Sequence, residues 1–177
     1  MHDKIDRVLI TEAEIEKRIA EIGTAITADY QGKDLIVVCV LKGAFMFLSS
    51  LVKKIDLPVS IDFIAVSSYG SSTKSSGVVR FLKDLNESIE GRHVLIVEDI
   101  VDTGLTLHYL ADNLLSRRPA SVKICTLLSK PSRRQVEVEV DYIGFDVPDY
   151  FVVGYGLDYS EIYRNLPDIC VLKNDAC

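Results

Sequence analysis

What this chain lacks narrows it first. No uninterrupted apolar stretch reaches the roughly 20 residues that a membrane-spanning helix needs, and the opening MHDKIDRV carries no apolar signal core. A cytoplasmic location and no membrane partner are the expectations. Cysteine is sparse, at 4, and shows neither metal-ligand nor redox spacing. Cys39, Cys125 and Cys170 sit inside apolar runs, as small core side chains do, while Cys177 is expected to be a free surface thiol. Basic charge is in deficit, with 20 Lys and Arg against 26 Asp and Glu and a net charge of -6. No surplus offsets phosphate repulsion, so nucleic acid is not an expected partner. Arg117, Arg118 and Arg133 form the only basic cluster and are expected in solvated loops. His2, His93 and His108 are scattered and read as structural or surface residues. No internal repeat and no linker interrupts the chain.

What is present is a globular composition, 48% hydrophobic and 26% charged over 177 residues, which suits one domain spanning residues 1–177. Thr11 with Glu14 forms a capping box ahead of Ile15, Ile19, Ile22 and Ile26, an amphipathic first helix. IVVCVL then predicts a strand that Lys42 and Gly43 end, and AFMFLSSLVKKI a helix. SIDFIAV and VVRFL bracket SSYGSSTKSSG, so residues 67–77 read as a flexible loop in a long hairpin. Leu107, Leu110, Ala111, Leu114 and Leu115 mark one face of a later helix. SVKICTLL, DYIGF, FVVGYG and ICVL predict the remaining strands. The fold class is α/β, a twisted, mostly parallel sheet with helices on both faces.

The chemistry concentrates between Val94 and Leu107. Val94 to Val97 form an apolar run of the kind a parallel strand shows when both its faces are covered. Glu98 and Asp99 follow at the carboxyl edge, where open α/β sheets bind ligands. Asp102, Thr103, Gly104, Leu105 and Thr106 then turn into a helix. Gly104 permits a sharp turn and close approach, and free N–H groups at a helix start favour an anion such as a phosphate monoester. Carboxylates repel a phosphate unless something positive lies between. Mg²⁺, which prefers oxygen ligands and keeps waters, would suit the acids, and so would the diol of a ribose. Helix capping is the bland alternative, but it needs one acid rather than three. Leu41-Lys42-Gly43 offers a second strand end opening on a second helix.

The run of four apolar residues, Glu-Asp, two apolar residues and Asp-Thr-Gly-x-Thr resembles the phosphoribosyl-diphosphate motif of the type I phosphoribosyltransferases. LKG at 41–43, SSYG at 67–70, LLSK at 127–130 and FVVGYGLDYSEIYRNLP at 151–167 resemble the 6-oxopurine branch in order, over most of the chain. The resemblance implies the family's single-domain fold with a small hood and a mobile loop. It also implies Mg-dependent transfer of phosphoribose from phosphoribosyl diphosphate to hypoxanthine or guanine, within purine salvage, by a homodimer or homotetramer. Asp102 would act as the base toward the purine. Glu98 and Asp99 would hold the ribose diol, directly or through Mg²⁺, and Thr103, Gly104, Leu105 and Thr106 would hold the 5′-phosphate. Lys42, Gly43 and Arg164 would face diphosphate, with a peptide of the 41–43 triplet able to be cis, while Ser68 and Tyr69 would reach in from the lid. Phe151 would stack on the purine, Val152 would offer its backbone, Lys130 would select a 6-oxo group, and Asp158 would lie near the purine and a second Mg²⁺. Some relatives carry Lys where this chain has Leu105. The alternatives are a nucleotide-sensing regulator on the same fold that binds nucleic acid, and a pyrimidine or adenine transferase.

Overall fold

The computed structural model describes residues 4–68 and 79–173. Its order is β1 (Ile5–Ile10), α1 (Glu12–Asp29), β2 (Leu35–Leu41), α2 (Phe45–Leu51), β3 (Val59–Ser68), β4 (Val79–Lys83), β5 (His93–Val101), α3 (Leu105–Leu115), β6 (Ser121–Ser129), β7 (Tyr142–Asp146), β8 (Val152–Val153) and β9 (Ile169–Leu172). Six strands form the main sheet in the order β4-β3-β2-β5-β6-β7, and β1, β9 and β8 form a second, smaller sheet. Strands β3, β2, β5, β6 and β7 are parallel; β4 returns antiparallel to β3. The predicted α/β class, with helices on both faces and a small hood, is the one observed.

Alternation along the central strands explains the layers. Leu35, Val37 and Cys39 of β2, with Leu95 and Val97 of β5, point to one face and pack with Ile15, Ile19, Ile22 and Ile26 of α1 and Phe47 and Leu51 of α2. Ile36, Val38 and Val40, with Val94 and Ile96, point to the other face and meet Leu107, Leu110 and Leu114 of α3. Successive side chains of a strand face opposite ways, so a strand buried on both sides must be apolar throughout. Cys39, Cys125 and Cys170 are buried as small core groups. Thr11 starts α1 as predicted: the Glu14 N–H donates to Thr11 Oγ1 and the Thr11 N–H to the Glu14 carboxylate.

Several boundaries differ from the sequence reading. Strand β5 does not stop at Val97 but runs on to Val101, because Glu98, Ile100 and Val101 still find partners in Thr126, Leu128 and Ser129 of β6. The helix expected over 44–55 is α2 followed by a 3-10 turn, Val52–Lys54. FVVGYG supplies only a two-residue strand. Leu115, assigned to the buried face of α3, is 52% exposed. Strand β1 has no counterpart in the local pattern; it pairs with β9, more than 150 positions away in sequence. Of the expected loop, Ser67 and Ser68 close β3, and residues 69–77 lie outside the described residues.

Candidate active site

Strands β2 and β5 lie side by side, and the chain leaves β2 toward β3 on one side and β5 toward β6 on the other. Their carboxyl ends therefore flank a crevice, the place where open sheets of this kind receive ligands. The 41–43 triplet closes one side and the acidic run of β5 the other.

Asp102, Thr103, Gly104 and Thr106, with Glu98 and Val101, line a pocket of about 110 Å³ at the head of α3. Gly104 is the helix N-cap at φ 85°, a left-handed conformation that glycine adopts without penalty. No side chain caps this helix. The three acids thus do not serve as caps, and the first turn of α3 presents its N–H groups to the pocket. Leu105 opens the helix, and its N–H reaches Thr103 Oγ1 at 3.4 Å. A helix start left open in this way is the kind of place that favours an anion.

Glu98 and Asp99 are adjacent on β5. The Asp99 N–H donates to Glu98 Oε1 at 3.1 Å, and the Ile100 N–H donates to Asp99 Oδ1 at 2.6 Å. Burial, then the charge of Asp99, pushes the Glu98 carboxyl well above the usual carboxylate range. Burial also raises Asp99, against the pull of Glu98, the Ile100 N–H and Arg164. Two crowded carboxyl groups that resist double ionisation are the arrangement a cation relieves. No group of three or more His, Cys, Asp or Glu placed to hold a metal ion occurs among the described residues. A cation at this pair would therefore complete its shell with substrate oxygens and water, the habit of Mg²⁺. Asp158, the third residue expected to meet a metal, is otherwise engaged: Oδ1 lies 2.8 Å from an Arg164 nitrogen, and Oδ2 accepts from the Glu161 N–H at 2.8 Å.

The 41–43 side is built by close backbone approach. The Leu41–Lys42 peptide is cis. A Cβ on Gly43 would fall 1.5 Å from Asp99 Oδ2, so only glycine lets that carboxylate lie against the loop. A Cβ on Gly156 would fall 2.0 Å from the Gly43 carbonyl oxygen, at a φ of 101°. Gly43 is thus held between Asp99 and the loop that follows β8. Arg164 comes from that loop. It donates to the Gly156 carbonyl at 2.8 Å and pairs with Asp158 and Glu161, while its Nε is buried without a partner. Lys42 Nζ meets Glu161 Oε2 at 2.9 Å. The carboxylate of Glu161 therefore bridges the two cations that the sequence assigned to one anion.

Lys130 directly follows β6, with its side chain only 10% exposed and its ammonium 3.6 Å from Asp149 Oδ1. Asp102 is not free: Arg133 Nε donates to its Oδ1 at 3.1 Å. Arg118 and Arg133 are exposed, as expected, and Arg117 is partly buried, but all three are also paired. Arg133 pairs with Asp102 and Asp149, Arg117 makes two hydrogen bonds to Asp84, and Arg118 pairs with Glu90. Val152 opens β8 of the small sheet, and Phe151 just before it accepts the Leu172 N–H at 3.0 Å through its carbonyl. Val152 is buried. Phe151 is 47% exposed, with the Tyr159 ring edge-on at 5.6 Å. Ser68 is the last residue of β3, and Tyr69 lies outside the described residues. Asp149 and Tyr159 escaped the sequence reading, since their partners are distant in the chain or carry no local pattern.

The chain resembles known proteins over nearly its whole length. The family model for the phosphoribosyl transferase domain matches residues 8–160. Hypoxanthine-guanine phosphoribosyltransferase of Bacillus subtilis is 54% identical over 172 residues, 97% of this chain and 95% of the relative. That of Staphylococcus aureus (strain Mu50) is 52% identical, over 99% and 98%. The bifunctional protein TilS/HprT of Listeria monocytogenes is 54% identical over 98% of this chain, which spans only 27% of that longer protein. A crystal structure of a hypoxanthine phosphoribosyltransferase from Staphylococcus aureus superposes with a TM-score of 0.97 at 51% identity, covering 99% of this chain and 96% of the other. With a pocket at a helix start, paired acids at the sheet's switch point and a family model covering most of its length, this chain belongs to the phosphoribosyl transferase domain family.

Proposed function

We propose that this chain transfers the 5-phosphoribosyl group from phosphoribosyl diphosphate to hypoxanthine or guanine, with residues 1–177 acting as one domain. The observation that carries the reading is the pocket between Glu98 and Thr106, which joins an uncapped helix start to the acids Glu98 and Asp102. The 5′-phosphate binds at the first turn of α3, where Thr103, Gly104, Leu105 and Thr106 supply N–H and hydroxyl donors. Glu98 and Asp99 hold the ribose diol. Mg²⁺ held by that pair would offset the charge building on the departing diphosphate. Lys42, the Gly43 backbone and Arg164 receive the diphosphate, displacing Glu161 from its two cations. Asp102 accepts or shares the purine proton as the new bond forms.

Phe151 is the stacking surface for the base, a contact worth roughly 1–3 kcal/mol. Its exposed ring supports that role. Lys130 has donors only, so it accepts a 6-oxo group and rejects a 6-amino group. Exposed Phe45, Ile61 and Leu82 support assembly into a homodimer or homotetramer, which sedimentation would measure. A panel of purine and pyrimidine bases, mixed with phosphoribosyl diphosphate and Mg²⁺ and followed by ultraviolet absorbance, tests the function. Turnover of hypoxanthine or guanine, with adenine and pyrimidines inert, is the expected result. No turnover of any 6-oxopurine would refute it.

A further inference from the structure

Between the residue that reads the base and the residue that takes its proton runs a line of alternating charge. Lys130 Nζ lies 3.6 Å from Asp149 Oδ1, Asp149 Oδ2 lies 3.6 Å from Arg133 Nη1, and Arg133 Nε lies 3.1 Å from Asp102 Oδ1. Each oxygen of Asp149 thus faces a different cation. Asp102 gives Oδ1 to Arg133, while its Oδ2 takes no hydrogen bond among the described residues.

Backbone contacts hold the segments that carry these charges. The Lys130 N–H donates to the Val101 carbonyl at 2.9 Å, and the Gln135 and Val136 N–H groups both donate to the Thr103 carbonyl. The Val147 N–H donates to the Ser129 carbonyl at 2.8 Å, which brings Asp149 beside the end of β6. The stem of Lys130 is packed, so little but Asp149 is left to aim its ammonium. Asp149, Arg133 and Asp102 are each about half exposed, so these contacts orient groups more than they stabilise the fold.

We propose that Asp149 and Arg133 are positioning residues for the base: Asp149 aims Lys130 at the purine 6-oxo group, and Arg133 holds Asp102 with one oxygen free for the ring nitrogen. The inference rests on the transfer reaction proposed above. A 6-oxo group and a ring nitrogen of one base stand at a fixed separation, so the two protein groups that meet them must keep a matching separation. The ion pairs through Asp149 and Arg133 set it.

Steady-state kinetics on the whole protein test this, with hypoxanthine and phosphoribosyl diphosphate varied in turn. Asp149→Asn is expected to raise KM for hypoxanthine about two- to fivefold, the scale of a partly exposed ion pair, with KM for phosphoribosyl diphosphate unchanged. The same substitution in a Lys130→Ala background is expected to add nothing, and Asp149→Glu to restore part of the loss. Arg133→Gln is expected to lower kcat about two- to fivefold with little change in either KM, and Arg133→Lys to retain it. An unchanged hypoxanthine KM in Asp149→Asn, an equal rise for both substrates, or the same rise without Lys130 would overturn the assignment while the wild type still turns over. A wild type inert toward every 6-oxopurine would instead remove the transfer reaction, and this inference with it.

Discussion

At the scale of single residues, the acids of β5 and its following loop divide by environment. Asp102 sits half exposed with one oxygen tied to Arg133, whereas Glu98 and Asp99 are crowded together and resist losing both protons. Asp102→Asn keeps the shape but removes the proton acceptor. Turnover should fall about 100-fold or more, the usual worth of a positioned base, while the product mononucleotide still binds by calorimetry. Undiminished turnover would move the base elsewhere. Glu98 carries a pH consequence of definite sign. Its folded-state pKa lies above the ordinary 4.5, so the protonated form contributes stability in full below that value. That contribution is lost as pH rises through the raised value. Without Mg²⁺, Glu98→Gln should therefore melt progressively higher than wild type as pH rises above the ordinary carboxylate range, even as it loses activity. Parallel melting curves across that range would show the carboxyl to be unstressed. The motif made these residues legible in sequence. The pairing of Asp102 with Arg133 was not legible, because nothing in a run of loop arginines says which acid each will face.

At the scale of elements, the legible parts were those with a strong local pattern. The capping box placed the start of α1, and unbroken apolar runs placed β2, β5 and β6. Strand β1 was missed because IDRVLI gains its partner only from the far end of the chain. The end of β5 was misplaced because charge was read as a strand terminator, whereas β6 offers hydrogen bonds through Val101. Glycine marked the close approach at Gly43, but the other half of that contact, Gly156, lies in a loop that sequence alone cannot dock. Gly156→Ala would bring a Cβ within 2.0 Å of the Gly43 carbonyl oxygen at a strained φ. A loss of about 1–3 kcal/mol in urea unfolding is expected. KM for phosphoribosyl diphosphate should rise more than KM for hypoxanthine, since the disturbed loop is the one beside Lys42. Equal stability of variant and wild type would mean that the two loops separate freely.

At the scale of the whole molecule, the proposed site draws on both sheets: the pocket and acids at the carboxyl end of β5 in the main one, and the exposed Phe151 ring beside β8 with Arg164 from the loop that follows. Alternation of strands and helices predicted the first sheet, but the relation between the two follows from packing over long sequence separations. A ligand that spans them should stabilise the fold by mass action. At a free concentration about 100 times its Kd, the product mononucleotide with Mg²⁺ should contribute about 2.7 kcal/mol. For a chain of this size that is a rise in Tm of roughly 5–10 °C. Scanning calorimetry would measure it, and no shift at saturation would sink the proposed ligand. The small sheet has one more effect. The Lys173 N–H donates to the Lys4 carbonyl at 2.9 Å, so the first and last described residues are hydrogen-bonded neighbours. A short peptide joining Lys4 to Lys173 in place of the residues beyond them would ring-close the described segment, and a permutant opened at another surface turn should keep the proposed site.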